Sequence, residues 1–153
     1  MLIVDSREQW TQSRSSDAHL KSYFGRHGIE YTVQKLDVGD YMLDENPLLT
    51  VDRKQSLEEL ARNLLNARDS SRFWREVRRC HNSGIQLVVL VESGPAVLDI
   101  NDVPKWKSRY SQVTGRRLID EMIRLEMSYG VRWAFCSKQS TGKRIMEILN
   151  GNG

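Results

Sequence analysis

Between Val38 and Glu59 the chain reads as a hairpin running into a capped helix, an order that limits the available folds more than any other stretch. Asp37-Val38-Gly39-Asp40 is expected to form a turn or bulge leading into a short strand over Tyr41 to Leu43. Asp44-Glu45-Asn46-Pro47 has the composition of a hairpin loop, and Leu48 to Asp52 reads as the returning strand. Ser56-Leu57-Glu58-Glu59 is a capping box, with Ser56 as N-cap and Glu59 at the third helical position. Leu57, Leu60 and Leu64 then share one helix face. If the two strands pair, Asp40 and Asp52 meet at the open end of the hairpin, although twelve positions separate them.

The rest of the chain alternates strand and helix patterns. Leu2 to Val4 is a β-branched run ending at Asp5, and Glu30 to Leu36 alternates as a strand. Between them Asp17 to Arg26 reads as a helix, capped by Asp17, with Leu20 and Phe24 on one face and Gly28 as its stop. Ser70 or Ser71 is expected to start a helix through His81, carrying Phe73, Trp74 and Val77, with Gly84 ending it. Gln86 to Glu92 is the most hydrophobic strand and is expected in the centre of the sheet. Ser93 to Arg109 is loop-rich. Gly115 to Tyr129 (with Leu118, Met122 and Leu125 on one side), Val131 to Cys136 and Thr141 to Leu149 read as helix, strand and helix. Interleaved strands and helices give an α/β class with a central mixed β-sheet flanked by helices. The hairpin supplies antiparallel pairing, and the long later connections allow parallel strands.

The 153 residues are expected to form a single domain over residues 1–149, with residues 150–153 a disordered tail. A charged fraction of 28% and a hydrophobic fraction of 39% suit a soluble globular chain. No apolar stretch is long enough for a membrane span, and the opening MLIVDSRE is no signal peptide. Cys80 and Cys136 lack CxxC spacing, which points to a reduced cytoplasmic setting, or a nuclear one in a eukaryote. His19, His27 and His81 have no zinc-ligand spacing. Gly142-Lys143 resembles the end of a phosphate-binding loop, but Ser137 stands where its first glycine belongs, so no nucleotide triphosphate site is expected. A net charge of +3 hints at a polyanionic partner. The bases cluster in two places, Arg68, Arg72, Arg75, Arg78 and Arg79, then Lys105, Lys107, Arg109, Arg116 and Arg117.

Paired carboxylates with a nearby lysine suit metal-dependent phosphodiester cleavage. Mg²⁺ prefers oxygen ligands and is commonly held by one or two carboxylates plus the substrate phosphate. Asp40 and Asp52 would supply those carboxylates, and the Arg53 carbonyl a third oxygen. Lys54, two residues past Asp52, projects to the same strand face and would orient the attacking water. Glu58 is placed to hold a metal-bound water or to position Lys54, and Asp5 to reach the same cleft beside Arg7 and Glu8. Asp5 fits a simple turn residue equally well. Arg72, at a helix start, is the arginine best placed for phosphate, while Arg75, Arg78 and Arg79 also fit a wet helix face. Lys105, Trp106 and Lys107 interleave bases with an aromatic as single-strand binders do, and Trp106 equally fits a loop anchor.

At these residues the chain resembles the nuclease domain of XPF-type (xeroderma pigmentosum group F) structure-specific endonucleases, whose motif is GD…ERKxxxD. Gly39-Asp40 matches the GD, Asp52-Arg53-Lys54 the ERK, and Glu58 the final acid. Val4-Asp5-Ser6-Arg7-Glu8 resembles the family's opening strand, and Ser71-Arg72-Phe73 its stretch after the motif helix. Two acids differ from the family's pattern: Asp52 stands for Glu, and Glu58 for Asp. The resemblance implies a restriction-endonuclease-like PD-(D/E)xK fold. It also implies a Mg²⁺-dependent endonuclease, with Mn²⁺ as substitute, cutting branched, flapped or nicked DNA in repair or recombination. It further suggests a homodimer or a nuclease partner chain, with apolar positions on the last two helices as the contact. The tandem helix-hairpin-helix motifs of active family members are not expected here. The competing reading is a catalytically weak nuclease-fold module that binds DNA or dimerises.

Overall fold

The computed structural model describes residues 1–12, 18–65 and 71–151. Among these, six strands form one sheet: β1 (Leu2–Asp5), β2 (Tyr31–Gln34), β3 (Tyr41–Leu43), β4 (Asn46–Lys54), β5 (Gln86–Glu92) and β6 (Arg132–Cys136). Their order is β2-β1-β3-β4-β5-β6. β3 runs antiparallel to both β1 and β4, and the β1–β2, β4–β5 and β5–β6 pairs are parallel. The sheet is therefore mixed, as the hairpin requires. β5 is interior and buried, but the middle of the sheet belongs to β3 and β4.

The hairpin is tighter than the sequence suggests. β4 begins at Asn46 and reaches Lys54, leaving only Asp44 and Glu45 as the turn. Pro47 is accommodated because the register shifts between Met42 and Leu43, and such a bulge tolerates a residue with no N–H.

Helices cover both faces. α1 (Ala18–Arg26) and α5 (Thr141–Leu149) bury Leu20, Phe24, Ile145 and Ile148 against Leu2, Val4, Tyr41, Val51 and Leu90. Gly142 permits the close approach of these two helices, because a Cβ there would lie 2.6 Å from the Tyr23 ring. On the other face α2 (Leu57–Leu65), α3 (Arg72–Ser83) and α4 (Gly115–Tyr129) bury Leu60, Leu64, Phe73, Val77, Leu118 and Met122 over Leu87, Val89 and Val91. Trp74 anchors α3 here, its indole N–H donating to the Leu64 carbonyl at 3.3 Å.

Ser71 caps α3, its hydroxyl accepting from the Trp74 N–H at 3.2 Å, and the helix runs two residues past His81. Asn150 and Gly151 close α5 by donating to the Met146 and Ile148 carbonyls, so the first half of the expected tail is ordered. On α4 Ile123 and Met127 are exposed. The apolar residues Ile145, Ile148 and Leu149 of α5 are buried, so of the last two helices α4 is the one with exposed large apolar side chains. No helix of the described residues is long and apolar enough to cross a membrane. The expected cap Asp17, the alternative helix start Ser70, Arg68 and residues 152–153 lie outside the described residues.

Candidate active site

Gly39 adopts a φ of 71°, and a Cβ on it would stand 2.0 Å from the Thr50 hydroxyl. Only glycine lets the turn close on β4 in this way. Thr50 then bridges the turn by donating toward the Val38 and Tyr41 carbonyls, both at 3.2 Å. Asp40, the next residue, is tied into the sheet from both sides. Its N–H donates to the Val51 carbonyl at 2.7 Å and its carbonyl accepts from the Asp5 N–H at 2.8 Å. Because Tyr41 pairs with Val51, Asp40 stands opposite Asp52 across the hairpin.

Side chains alternate along a strand, so Asp52 and Lys54 emerge on the α2–α3 face of β4. Lys54 Nζ lies 2.9 Å from Asp52 Oδ2 and 4.6 Å above the centre of the Phe73 ring. Asp52 Oδ2 is buried and receives no well-directed hydrogen bond. The Arg53 N–H donates to Asp40 Oδ2 at 2.8 Å. A strand residue turns its N–H and C=O to the same side, so the Arg53 carbonyl also faces the side of Asp40. The Arg53 guanidinium goes elsewhere, being buried on the opposite face. It bonds Glu92 at 2.8 Å and 3.4 Å and Glu8 at 3.2 Å. Glu92 also accepts from the Thr141 hydroxyl at 2.5 Å, and Glu8 from the Tyr41 hydroxyl. This network fixes the end of β4 to β5, to α5 and to the loop after β1.

The exposed side of Asp40, Asp52 and Lys54 opens into a cleft of about 290 Å³, walled by Arg7, Glu8, Glu59, Asn63, Arg72, Phe73 and Glu76. Its charge distribution is strained. Burial, then the neighbouring Asp52 and Glu8 charges, push the Asp40 carboxyl well above the usual carboxylate range. Burial and Asp52 push Glu76 up to about 7. Burial works against a charged Lys54, but Asp52 beside it outweighs this and holds the ammonium protonated.

Asp40, Asp52, Lys54, Arg7 and Arg72 thus meet in one cleft, together with the main chain of Arg53. Asp5 does not line it. Its buried carboxylate accepts from the Leu36 N–H at 2.9 Å and from Arg7 Nε at 2.6 Å, so it aims Arg7. Glu58 also turns away. It accepts from the Ser108 hydroxyl and the Arg109 N–H, both at 2.8 Å, and ties that loop to the start of α2. Successive helical residues diverge by about 100°, so in the first turn of α2 it is Glu59 that borders the cleft. Glu59 completes the cap in modified form, accepting from the Gln55 N–H at 3.0 Å, while Ser56 accepts from the Glu59 N–H.

Lys105, Trp106 and Lys107 line a separate cavity of about 430 Å³ beyond Glu58. Trp106 is also packed on the core, so it is both loop anchor and cavity wall. Sequence reasoning missed Glu76 altogether, placed Glu8 only beside the site, and used Glu59 only as a cap.

The donor set suits a hard divalent cation. Opposed carboxylates on adjacent strands repel, and a bound cation relieves both that repulsion and the poorly satisfied Asp52 oxygen. Among the described residues no three His, Cys, Asp or Glu side chains are grouped to hold a metal alone. The two thiols do not contribute, since burial raises Cys80 to about 12 and Cys136 to about 11.

No curated protein matches the sequence significantly. Two solved structures of XPF from Aeropyrum pernix, one of them in complex with DNA, align with TM-scores of 0.67 and 22% identity. The alignments cover 97% of this chain and 63% and 62% of those chains, so this chain spans less than two thirds of their length. At that identity the likeness concerns the fold, a restriction-endonuclease-like α/β sheet. The family model described as ERCC4 domain matches residues 4–148, nearly the whole sequence, and the chain belongs to the ERCC4 domain family.

Proposed function

We propose that this chain is a Mg²⁺-dependent endodeoxyribonuclease acting at branched, flapped or nicked DNA. The observation that carries this reading is the facing pair Asp40 and Asp52, with Lys54 2.9 Å from Asp52, inside a cleft bordered by two arginines. Asp40, Asp52 and the Arg53 carbonyl would hold the metal. Such a metal supplies Lewis acidity toward the phosphoryl oxygens and lowers the pKa of water. Lys54, kept charged by Asp52, orients the attacking water and balances charge as the phosphorus gains its fifth oxygen. Arg7 and Arg72 grip the phosphate oxygens, and Asp5 fixes the direction of Arg7. Lys105, Trp106 and Lys107 receive an unstacked segment of strand beyond the cleft. The exposed Ile123 and Met127 of α4 are the part of this reading that concerns self-association.

The test is cleavage of labelled flap, fork, nicked and plain duplex DNA by the parent and by Asp52→Ala. Each is assayed with Mg²⁺, with Mn²⁺ and with chelator. Metal-dependent cutting that disappears in the variant supports the proposal, and the preferred substrate defines its subclass. Binding without cutting by the parent would favour the weak or inactive DNA-binding module.

A further inference from the structure

Beside the cleft, between α3 and the segment joining β2 to β3, lies a recess of about 480 Å³. We propose that it is a second phosphate subsite, which holds the DNA backbone next to the scissile bond; this rests on the endonuclease reading above. Arg7, Arg72 and Glu76 line both spaces, so a strand leaving the cleft passes directly into the recess. Lys35, Arg75 and Arg79 supply its remaining bases. Residues 72, 75 and 79 recur at helical spacing and present one face of α3. Arg79 Nη1 donates to the Asp37 carbonyl at 2.7 Å, and Arg7 Nη2 to the Leu36 carbonyl at 3.0 Å. For Arg79 this neutral acceptor orients the guanidinium without cancelling its charge, whereas Arg7 is also paired with the buried Asp5 carboxylate at 2.6 Å.

Among the described residues, five bases against Asp37, Glu76 and the Asp5 carboxylate behind Arg7 leave the recess positive. Unlike the cavity at Trp106, it has no aromatic wall for a base to stack on. Charge without a stacking surface favours sugar-phosphate backbone over bases, and backbone contacts position a strand without reading its sequence. The size also fits. Arg72 to Arg79 covers about 10 Å along the helix axis, the rise of about three nucleotides of one DNA strand.

The experiment measures anisotropy of a labelled nicked duplex in chelator across a KCl series, with the parent and with Lys35→Gln/Arg75→Gln. Both residues are exposed, and a melting curve checks the variant's fold. A second series places one neutral methylphosphonate at each linkage of the nicked strand. The variant is expected to lower the slope of log K against log salt by about two. Methylphosphonates at two or three consecutive linkages on one side of the cut should weaken the parent clearly more than the variant, which retains Arg7, Arg72 and Arg79. Identical slopes and profiles in the two proteins would overturn the subsite, as would a parent profile with no penalty beyond the scissile linkage. If the parent shows the expected profile but cuts nothing with Mg²⁺, the subsite stands and the endonuclease reading falls. A parent that binds no DNA sinks both.

Discussion

Asp52 and Arg53 are neighbours on β4, both almost wholly buried, and their surroundings are opposite in kind. Arg53 is satisfied: Glu92 and Glu8 share its charge, and Thr141 and Tyr41 complete their coordination. Among the described residues Asp52 has Lys54 as its ion partner, an oxygen with no directed hydrogen bond, and Asp40 across the hairpin. One strand therefore carries a completed network on one face and an incomplete one on the other. Burial and charge alone do not separate a strut from a reactive centre, whereas the remaining coordination capacity does. A completed buried network resists disturbance, and an incomplete one is primed for a ligand.

The contrast is broken most sharply at Asp52. Asp52→Ala should reduce metal-dependent cleavage by about 10³-fold or more, equivalent to about 4 kcal/mol. The melting temperature in chelator should move less than in Arg53→Ala, because relief of the repulsion with Asp40 offsets loss of the ion pair with the buried Lys54, and the parent's Mg²⁺-induced thermal shift should vanish. A variant that still shifts with Mg²⁺ would remove Asp52 from the metal site.

Arg53→Ala should do the reverse and act on stability first. Stranding the Glu92 and Glu8 carboxylates costs about 3–5 kcal/mol, a fall of roughly 10 °C in melting temperature at this chain length. A melting temperature within a degree or two of the parent's would mean that the network is not the strut described here.

Lys54→Ala is expected to slow cleavage by about 10²–10³-fold while the Mg²⁺-induced shift persists. Loss of the shift together with the rate would make Lys54 a support for the metal carboxylates rather than a group acting on water.

The smallest effect concerns Glu76. Its carboxyl titrates at about 7 in the fold against 4.5 in the open chain, because burial and Asp52 disfavour its charge. Between those values the native state binds more protons than the unfolded one, so stability in chelator falls as pH rises, then levels off. Asp40 pushes in the same direction. Denaturant melts of Glu76→Gln from pH 4 to pH 9 should show a shallower decline than the parent's. An equal decline would assign the trend to Asp40 and Glu8, whose carboxyls burial also pushes up.

Legibility in the sequence followed how local the determining forces are. The helix Gly115–Tyr129 and the strand Gln86–Glu92 match their expected limits residue for residue. α4 has local stops at both ends: the Thr114 hydroxyl caps its start, and Gly130 turns left-handed at its close. Asp40 and Asp52 were equally readable, since hairpin pairing and strand alternation fix them. Glu58 and Asp5 were not. Glu58 faces a loop some fifty residues later, and Asp5 is claimed by Arg7 and by the Leu36 backbone. Glu76 was hidden for a related reason. On an arginine-rich helix it reads as part of a solvated face, and only the docking of α3 over β4 turns it into the cleft.

The packing of Gly39 on Thr50 has a consequence for how the chain can diversify. A side chain at position 39 meets the Thr50 hydroxyl, and shortening Thr50 would relieve that collision but not the left-handed backbone. Position 39 is therefore closed to ordinary drift, and changes at position 50 that push the turn away displace Asp40 from Asp52. In a randomised library selected only for folding, threonine at 50 should be replaceable by small residues. In the same library selected for cutting, the pair should survive together, so the difference between the two selections would measure how much of this hairpin is kept for chemistry.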